Sequence, residues 1–157
     1  MAIEQETSDA LVRIRVALDH AGTQGPADDF LWAEPLGSGR FRIESCPFFA
    51  YGISRDDVVL AVETAGEDAP RLEDVLEKGG HRTLRLALDP KMDLADSSVQ
   101  GLLERLLELG CTHEALRPKL VAIDVPPVVD VAVVAQLLQA LVEEGTLLWE
   151  WADPRPS

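Results

Sequence analysis

The chain of 157 residues has few cysteines, few aromatic side chains and few basic residues. Cys46 and Cys111 stand far apart with no other thiol nearby, which excludes a disulfide framework and a cysteine-rich metal site. We expect both to be small buried residues. Only 14 Lys and Arg oppose 28 Asp and Glu, and acids outnumber bases in both halves. Because nucleic-acid affinity depends on basic side chains that neutralise phosphates, direct binding of DNA or RNA is not expected.

Long apolar runs are also missing. No stretch approaches the ~20 residues that a membrane helix needs, and the first residues, MAIEQETSDA, are acidic where a secretory signal would be basic. We therefore expect a cytoplasmic protein that does not bind membranes. The composition, 46% hydrophobic and 27% charged, is typical of a folded domain. The net charge of −14 either serves solubility or attracts a basic protein partner.

No motif fixes an active site. The three histidines, His20, His81 and His113, belong to no HExxH or CxxC pattern, so we expect neither a metal nor a cofactor. Ser54 lacks the GxSxG pattern of hydrolases. Cys111 and His113 would share one side of a strand, but a catalytic pair also needs an orienting group and an oxyanion site, and the sequence supplies neither.

The first half of the chain has the pattern of short strands joined by tight turns. We predict strands at residues 12–18, 30–36, 40–44 and 57–63, with a loop at residues 20–29. Gly37 and Gly39 supply the positive φ that a hairpin turn requires. The pattern predicts a small curled sheet or partly open barrel. Residues 64–70 break it, so we place a boundary there: a mostly-β subdomain at 1–70 and a second subdomain at 71–157.

The second half has the pattern of a ferredoxin-like βαββαβ unit. The predicted order is strand 81–88, helix 97–109, strand 111–116, strand 120–125, a helix capped by Asp130 that ends near Glu143, and strand 146–151. Ser97 and Gln100 match a capping box. Residues 71–77 fit either a strand or one helical turn. Right-handed crossovers place both helices on one face of an antiparallel sheet, so the predicted fold class is α+β.

The most distinctive stretch is GRFRIESCPFFAYGIS, residues 39–54, which holds four of the eight aromatic residues. We interpret it as a hinge of the N-terminal sheet whose aromatic side chains fill the seam with the ferredoxin-like half. Any of Phe48, Phe49 and Tyr51 that is exposed would mark a partner-binding site. Trp149 and Trp151 share one face of the last strand, where they lie under the helices or stay open to a partner.

Several segments carry a family resemblance. They are LWAEPLGSGRFRIESCPFFAYGISRDDVV, GHRTLRL, LLERLLELGC and AIDVPP. Together they resemble an uncharacterised bacterial family of a domain of unknown function, over roughly residues 30–152, with PFFAYGIS as the most specific part. The resemblance implies no activity and no catalytic residue.

Three hypotheses about function follow from the sequence. The first is a non-enzymatic protein-interaction module, an acidic neutralising (immunity-type) or regulatory partner of a basic protein, with Phe48, Phe49, Tyr51, Trp149 and Trp151 as its binding residues. The second is a small-molecule sensor, by analogy with ferredoxin-like domains that form homodimers through a sheet edge, here residues 111–116 or 146–151. The third is an unrecognised enzyme, whose reactive side chains would come from Cys46, Tyr51, His81 and His113.

Overall fold

The computed structural model describes residues 11–18 and 27–153. His20 and most of the loop predicted at 20–29 therefore lie outside the described residues. Five strands form a closed barrel: β1 (Val12–Ala17), β2 (Asp28–Gly37), β3 (Arg40–Ile43), β4 (Val58–Val62) and β5 (Arg71–Glu77). Consecutive strands are antiparallel, and because their number is odd, β1 and β5 meet in parallel. The predicted small barrel is confirmed, and it is closed.

Strand β5 belongs to the barrel, although the sequence pattern assigned residues 71–77 to the second half. It pairs with β4 along its length and meets β1 where the Arg15 amide donates to the carbonyl of Pro70, 2.8 Å away. Residues 71–77 are therefore a strand and not a helical turn. The change from barrel to second sheet falls after Glu77, while the division into two subdomains stays a prediction.

The second half contains β6 (Arg82–Leu88), α1 (Ser97–Leu109), β7 (Thr112–Arg117), β8 (Leu120–Val125), α2 (Val131–Glu143) and β9 (Leu147–Asp153). The four strands form an antiparallel sheet in the order β7-β8-β6-β9, which confirms the ferredoxin-like prediction. Alternate residues of β6, such as Leu84 and Leu86, pack with Leu106 and Leu138 of the helices. Both helices thus cover one face of the sheet, and β7 and β9 are its edges.

The helix starts follow the sequence pattern at one helix and depart from it at the other. Asp130 caps α2, and its carboxylate accepts the amide of Ala132 at 2.9 Å, as predicted. The predicted capping box of Ser97 and Gln100 is wrong. Asp96 occupies the cap position because its backbone is still extended, and the Gln100 side chain turns back to the carbonyl of Leu94. Neither of the described helices is long and apolar enough to cross a membrane.

Gly79 lies where the barrel meets the second sheet, and its lack of a side chain allows two backbone segments to touch. A Cβ atom at Gly79 would lie 2.7 Å from the carbonyl carbon of Asp56 and closer still to its oxygen. Its amide also donates to the carboxylate of Asp57 at 2.9 Å. Because the two nearest obstructing atoms are backbone, we expect Gly79→Ala to lower the free energy of unfolding by about 3 kcal/mol, measured by urea denaturation.

Gly101 provides the matched control for this substitution. It lies within α1, where an added Cβ would meet no atom within 4 Å. Gly101→Ala should therefore raise the free energy of unfolding by about 0.5–1 kcal/mol, since alanine is the better helix former. Equal effects of the two substitutions would show that the contact at Gly79 is not the cause.

Candidate functional site

The face of the second sheet that carries no helix is crossed by the segment between β3 and β4. On β6 this face presents Thr83, Arg85 and Ala87, the residues that alternate with the helix-facing leucines. The guanidinium of Arg85 donates to the carbonyls of Pro47 and Ala50 at 3.5 and 3.0 Å. The backbone of the distinctive aromatic stretch therefore lies against the sheet.

An open groove of about 460 Å³ remains between this segment and the sheet, and we call it the aromatic groove. It is lined by Phe48, Phe49, Tyr51, Arg85, Leu86, Ala87, Leu120, Leu148, Trp149 and Glu150. Two of its side chains are notably open to solvent: Leu148 is 69% exposed and Tyr51 is 58% exposed. The groove thus combines a largely apolar lining with a few polar groups, which is the usual composition of a binding site.

Asp29 holds the aromatic wall of the groove in place. One oxygen of its buried carboxylate accepts three consecutive backbone amides, those of Phe48, Phe49 and Ala50, at 2.9, 2.8 and 3.0 Å. The other oxygen accepts the amide of Phe30 at 3.0 Å. Hydrogen bonds to an ionised acceptor are stronger than those between neutral groups. The wall of the groove is therefore fixed by the barrel and does not depend on a ligand to form it.

A polar cluster of Tyr51, Arg85 and Glu150 lies at one side of the groove. The Tyr51 hydroxyl donates to the Glu150 carboxylate at 2.8 Å, and Arg85 donates to the same carboxylate at 3.3 Å. The guanidinium of Arg85, which is 4% exposed, also lies 4.5 Å from the centre of the Tyr51 ring. The hydrogen bond to Glu150 is the main cause of a raised pKa of Tyr51. Tyr51 is therefore a neutral hydrogen-bonding group.

Four of the five predicted binding residues line the aromatic groove: Phe48, Phe49, Tyr51 and Trp149. Trp151 does not line it. Its ring meets that of Trp149 edge to face, with the ring centres 5.7 Å apart, and both rings pack against the helix-side core. The two tryptophans are partly buried under the helices, one of the two placements that the sequence left open. The role of these residues in partner binding stays a prediction.

The four side chains named for an enzyme differ in exposure and in their polar partners. Cys46 is 1% exposed, and burial together with Glu114 and Asp124 raises the pKa of its thiol, which keeps the thiol protonated. The ring of His81 binds Asp124 through Nδ1 at 2.9 Å, while burial raises the pKa of this carboxyl. His113 is exposed on edge strand β7. Tyr51 belongs to the groove instead.

Cys111 is buried in the helix-side core, and burial raises the pKa of its thiol to about 11. The predicted burial of both cysteines is thus correct, and a pairing of Cys111 with the exposed His113 has no support. Among residues 11–18 and 27–153, no group of three or more His, Cys, Asp or Glu side chains is arranged to hold a metal ion.

A buried polar junction joins the barrel to the second sheet. The ammonium of Lys78 lies 2.6 Å from a carboxylate oxygen of Asp57 and 2.6 Å from one of Asp153. The hydroxyl of Ser54 donates to Asp153 at 2.5 Å and lies 2.8 Å from that of Thr83. Since Ser54 is fully buried and its hydroxyl is engaged, it has the geometry of a structural residue. We call these five residues the junction cluster.

Sequence reasoning missed the polar residues that build the groove, above all Asp29 and Arg85. The sequence pattern places Asp29 in a loop, but this residue stands two positions before Leu31 and therefore points to the same inner side of β2. A carboxylate at an inward position requires buried partners, so this register was a usable signal. Arg85 alternates with leucines, a pattern that normally indicates a solvated face. Here that face is covered by residues 47–50.

Comparisons with known proteins address the fold and the family. A crystal structure described as a hypothetical protein from Neisseria gonorrhoeae superposes with a TM-score of 0.76 at 16% sequence identity, covering 91% of this chain and 94% of that one. At this identity the likeness shows the fold alone. Comparison with curated proteins gives no match. The sequence pattern of DUF4265, a domain of unknown function, matches residues 29–149, well over half of the chain. The chain therefore belongs to the DUF4265 family, which confirms the resemblance found in its sequence.

Proposed function

We propose that this chain is a non-enzymatic protein-interaction module that binds an apolar segment of a basic partner protein in the aromatic groove. The observation that carries the proposal is the groove itself, in which an apolar surface stays open beside a wall held by Asp29. A wall that is formed in advance lowers the entropy cost of binding. Aromatic side chains in such a groove supply much of the energy of a typical protein interface.

Charge supports a basic partner. The chain carries a net charge of −14. The carboxylate of Glu150 lies at the groove, and its side chain is 50% exposed. Glu143 and Glu144 are exposed just before β9, the strand that supplies Leu148 and Glu150. Opposite charges on two proteins accelerate their association and disfavour wrong partners. A neutralising or regulatory role toward a basic protein is consistent with this surface.

A small-molecule sensor is the second candidate function, favoured by the size of the groove. Its volume of about 460 Å³ falls within the range of about 300–1,000 Å³ that small-molecule sites occupy. The guanidinium of Arg85 at the groove would suit a ligand with an acidic or carbonyl group. A sensor that binds such a ligand would function without a basic partner protein.

The proposal is tested with Leu148→Asp, which places a charge in the groove at a side chain that already faces solvent. Leu107→Asp is the matched control, since Leu107 is 62% exposed on α1, on the opposite side of the sheet from the groove. Proteins retained from a native lysate by the wild type are identified, and the dissociation constant of each purified partner is then measured. We expect Leu148→Asp to weaken binding at least about tenfold and Leu107→Asp to leave it unchanged.

Three outcomes separate the candidates. Binding that is lost with Leu148→Asp and weakened by added salt supports a basic partner in the groove. Retention that is equal for the wild type and Leu148→Asp overturns the proposal. In the third outcome no retained protein depends on Leu148, but a compound of a metabolite panel raises the melting temperature of the wild type and of Leu107→Asp and not that of Leu148→Asp. The small-molecule sensor then replaces the interaction module as the proposed function.

A further inference from the structure

We infer that the partner segment binds as an added strand on the free edge of β9, with alternate side chains in the aromatic groove. This inference rests on the proposed function and specifies the conformation and chemistry of the partner. It follows from the backbone hydrogen bonds of the second sheet, from the composition of its two edges and from the position of the groove beside β9.

The hydrogen bonds of β6 fix which backbone groups of β9 are free. Two amides at the end of β6 and just after it set the alternation: Leu88 donates to Lys119 on the β8 side, and Asp89 donates to Thr146 on the β9 side, both at 2.9 Å. Counting back in the observed register, Leu148 and Glu150 are the β9 residues that exchange hydrogen bonds with β6. The amides and carbonyls of Trp149 and Trp151 therefore point away from β6, outward in the plane of the sheet.

These outward groups of Trp149 and Trp151 have no hydrogen-bond partner among the residues that the structure describes. The segment between β3 and β4 bonds to the backbone of β9 beyond them, where the amide of Gly52 donates to the carbonyl of Ala152 at 2.9 Å. An antiparallel segment could pair with this stretch without displacing any described hydrogen bond. Main-chain pairing of this kind is a common mode of peptide recognition.

The two edges of the sheet differ in chemistry. Edge strand β7 has the sequence THEALR, whose charged and polar side chains discourage pairing with another chain. Edge strand β9 has the sequence LLWEWAD, with two leucines and two tryptophans in its first five residues. Proteins usually protect a hydrophobic edge. The edge that no described residue covers or charges in this way is the one beside the aromatic groove, which points to use of this edge in binding.

The side chains of β9 determine what the added strand should contain. Partner residues opposite Leu148 and Glu150 would point to the helix-free face, where the groove opens. An apolar residue suits Leu148 and the aromatic wall, and a lysine or arginine suits Glu150. Basic residues also suit Glu143 and Glu144 nearby. A second copy of this chain fits less well, because two molecules of net charge −14 would bring these acidic residues together.

The test uses peptides selected from a displayed random library on the full chain, with Leu148→Asp for counter-selection. We expect the selected peptides to alternate apolar and basic residues. Each selected peptide is then synthesised in two versions. In one version the backbone amides of the odd-numbered residues are N-methylated, and in the other those of the even-numbered residues. Methylation of the set that faces β9 should weaken binding about tenfold or more, while the other set is tolerated, because only the first set donates to the edge.

Amide hydrogen exchange supplies the second measurement. In dilute protein the amides of Leu148 and Glu150 should exchange slowly and those of Trp149 and Trp151 quickly, and the peptide should slow the latter two about tenfold or more. Peptides that depend on Leu148 but tolerate both methylation patterns would overturn the added strand and keep the proposed function. A library without Leu148-dependent peptides would overturn both. Slow exchange of the Trp149 and Trp151 amides without peptide would show that the edge is already occupied and would overturn the inference. If this protection rises with protein concentration, the occupant is a second copy of the chain.

Discussion

Replacing Asp29 with alanine is expected to lower the free energy of unfolding by about 3–5 kcal/mol, measured by urea denaturation. The carboxylate is buried and accepts the consecutive amides of Phe48, Phe49 and Ala50 through one oxygen. Its removal would leave three amides without an acceptor beneath the aromatic wall. Each buried donor that loses a charged acceptor costs about 1–3 kcal/mol, and the losses are not fully additive. The same variant should lose partner binding, because the groove wall is no longer held.

Asp28 is the control for this prediction, since it is the preceding acid on the same strand. Its carboxylate binds Arg15 at 2.6 Å, and both side chains are partly open to solvent. Asp28→Ala should therefore cost no more than about 1 kcal/mol. Asp29→Asn should fall between the two alanine variants, because an amide oxygen still accepts but carries no charge. A loss below about 1 kcal/mol for Asp29→Ala would show that the three amides are satisfied in another way.

Much of the fold was predictable because its signals are local. The cap at Asp130 and the turn at Gly37–Gly39 depend on residues a few positions apart. The alternation of Leu84 and Leu86 with Arg85 indicated a strand with two different faces. Once these elements were assigned, the order of strands and helices in the second half allowed few topologies, because crossovers between parallel strands are right-handed. The ferredoxin-like order followed from this rule.

Strand β5 shows where local patterns fail. Strand β5 has acids on both faces and no fully buried residue, so its sequence does not distinguish a strand from a helical turn. Its place in the barrel is decided by pairing with β4 and by the single residue pair with β1, Arg15 with Arg71. Such pairings join residues that are distant in sequence, and composition does not encode them.

The candidate site was only half predictable for the same reason. Its aromatic members, Phe48, Phe49 and Tyr51, were visible as a cluster in the sequence. The groups that hold them, Asp29 and Arg85, lie about 20 and more than 30 residues away along the chain. An acid or an arginine in a strand pattern is normally solvated. Only the fold shows that the aromatic segment covers these two side chains.

The segment that forms the groove wall is held at both of its ends, which links the junction cluster to the site. Asp29 binds the backbone amides of residues 48–50, and just beyond them Ser54 and Asp57 are anchored as members of the junction cluster. Lys78 also donates to the carbonyl of Gly52 at 3.1 Å, between these two anchors. The orientation of Tyr51 over Arg85 therefore depends on contacts made by residues that do not line the groove.

Replacing Lys78 with methionine is accordingly expected to lower the free energy of unfolding by about 3–5 kcal/mol. The ammonium of Lys78 lies between the carboxylates of Asp57 and Asp153, both of which are buried. Methionine keeps most of the volume of the side chain but removes the only cation within bonding distance of these two acids among the described residues. Two uncompensated charges would remain in the interior, where burial of an unpaired carboxylate is costly.

Two further variants show whether the charge is the cause. Lys91→Met removes an exposed lysine that forms no ion pair among the described residues, and it should change stability by no more than about 0.5 kcal/mol. Adding Asp153→Asn to Lys78→Met removes one of the two stranded charges, so the double variant should recover about 1–2 kcal/mol relative to Lys78→Met alone. If the second substitution gives no recovery, packing at residue 78 is what stabilises the junction cluster. A recovery would show that the lysine neutralises the junction on which the groove wall depends.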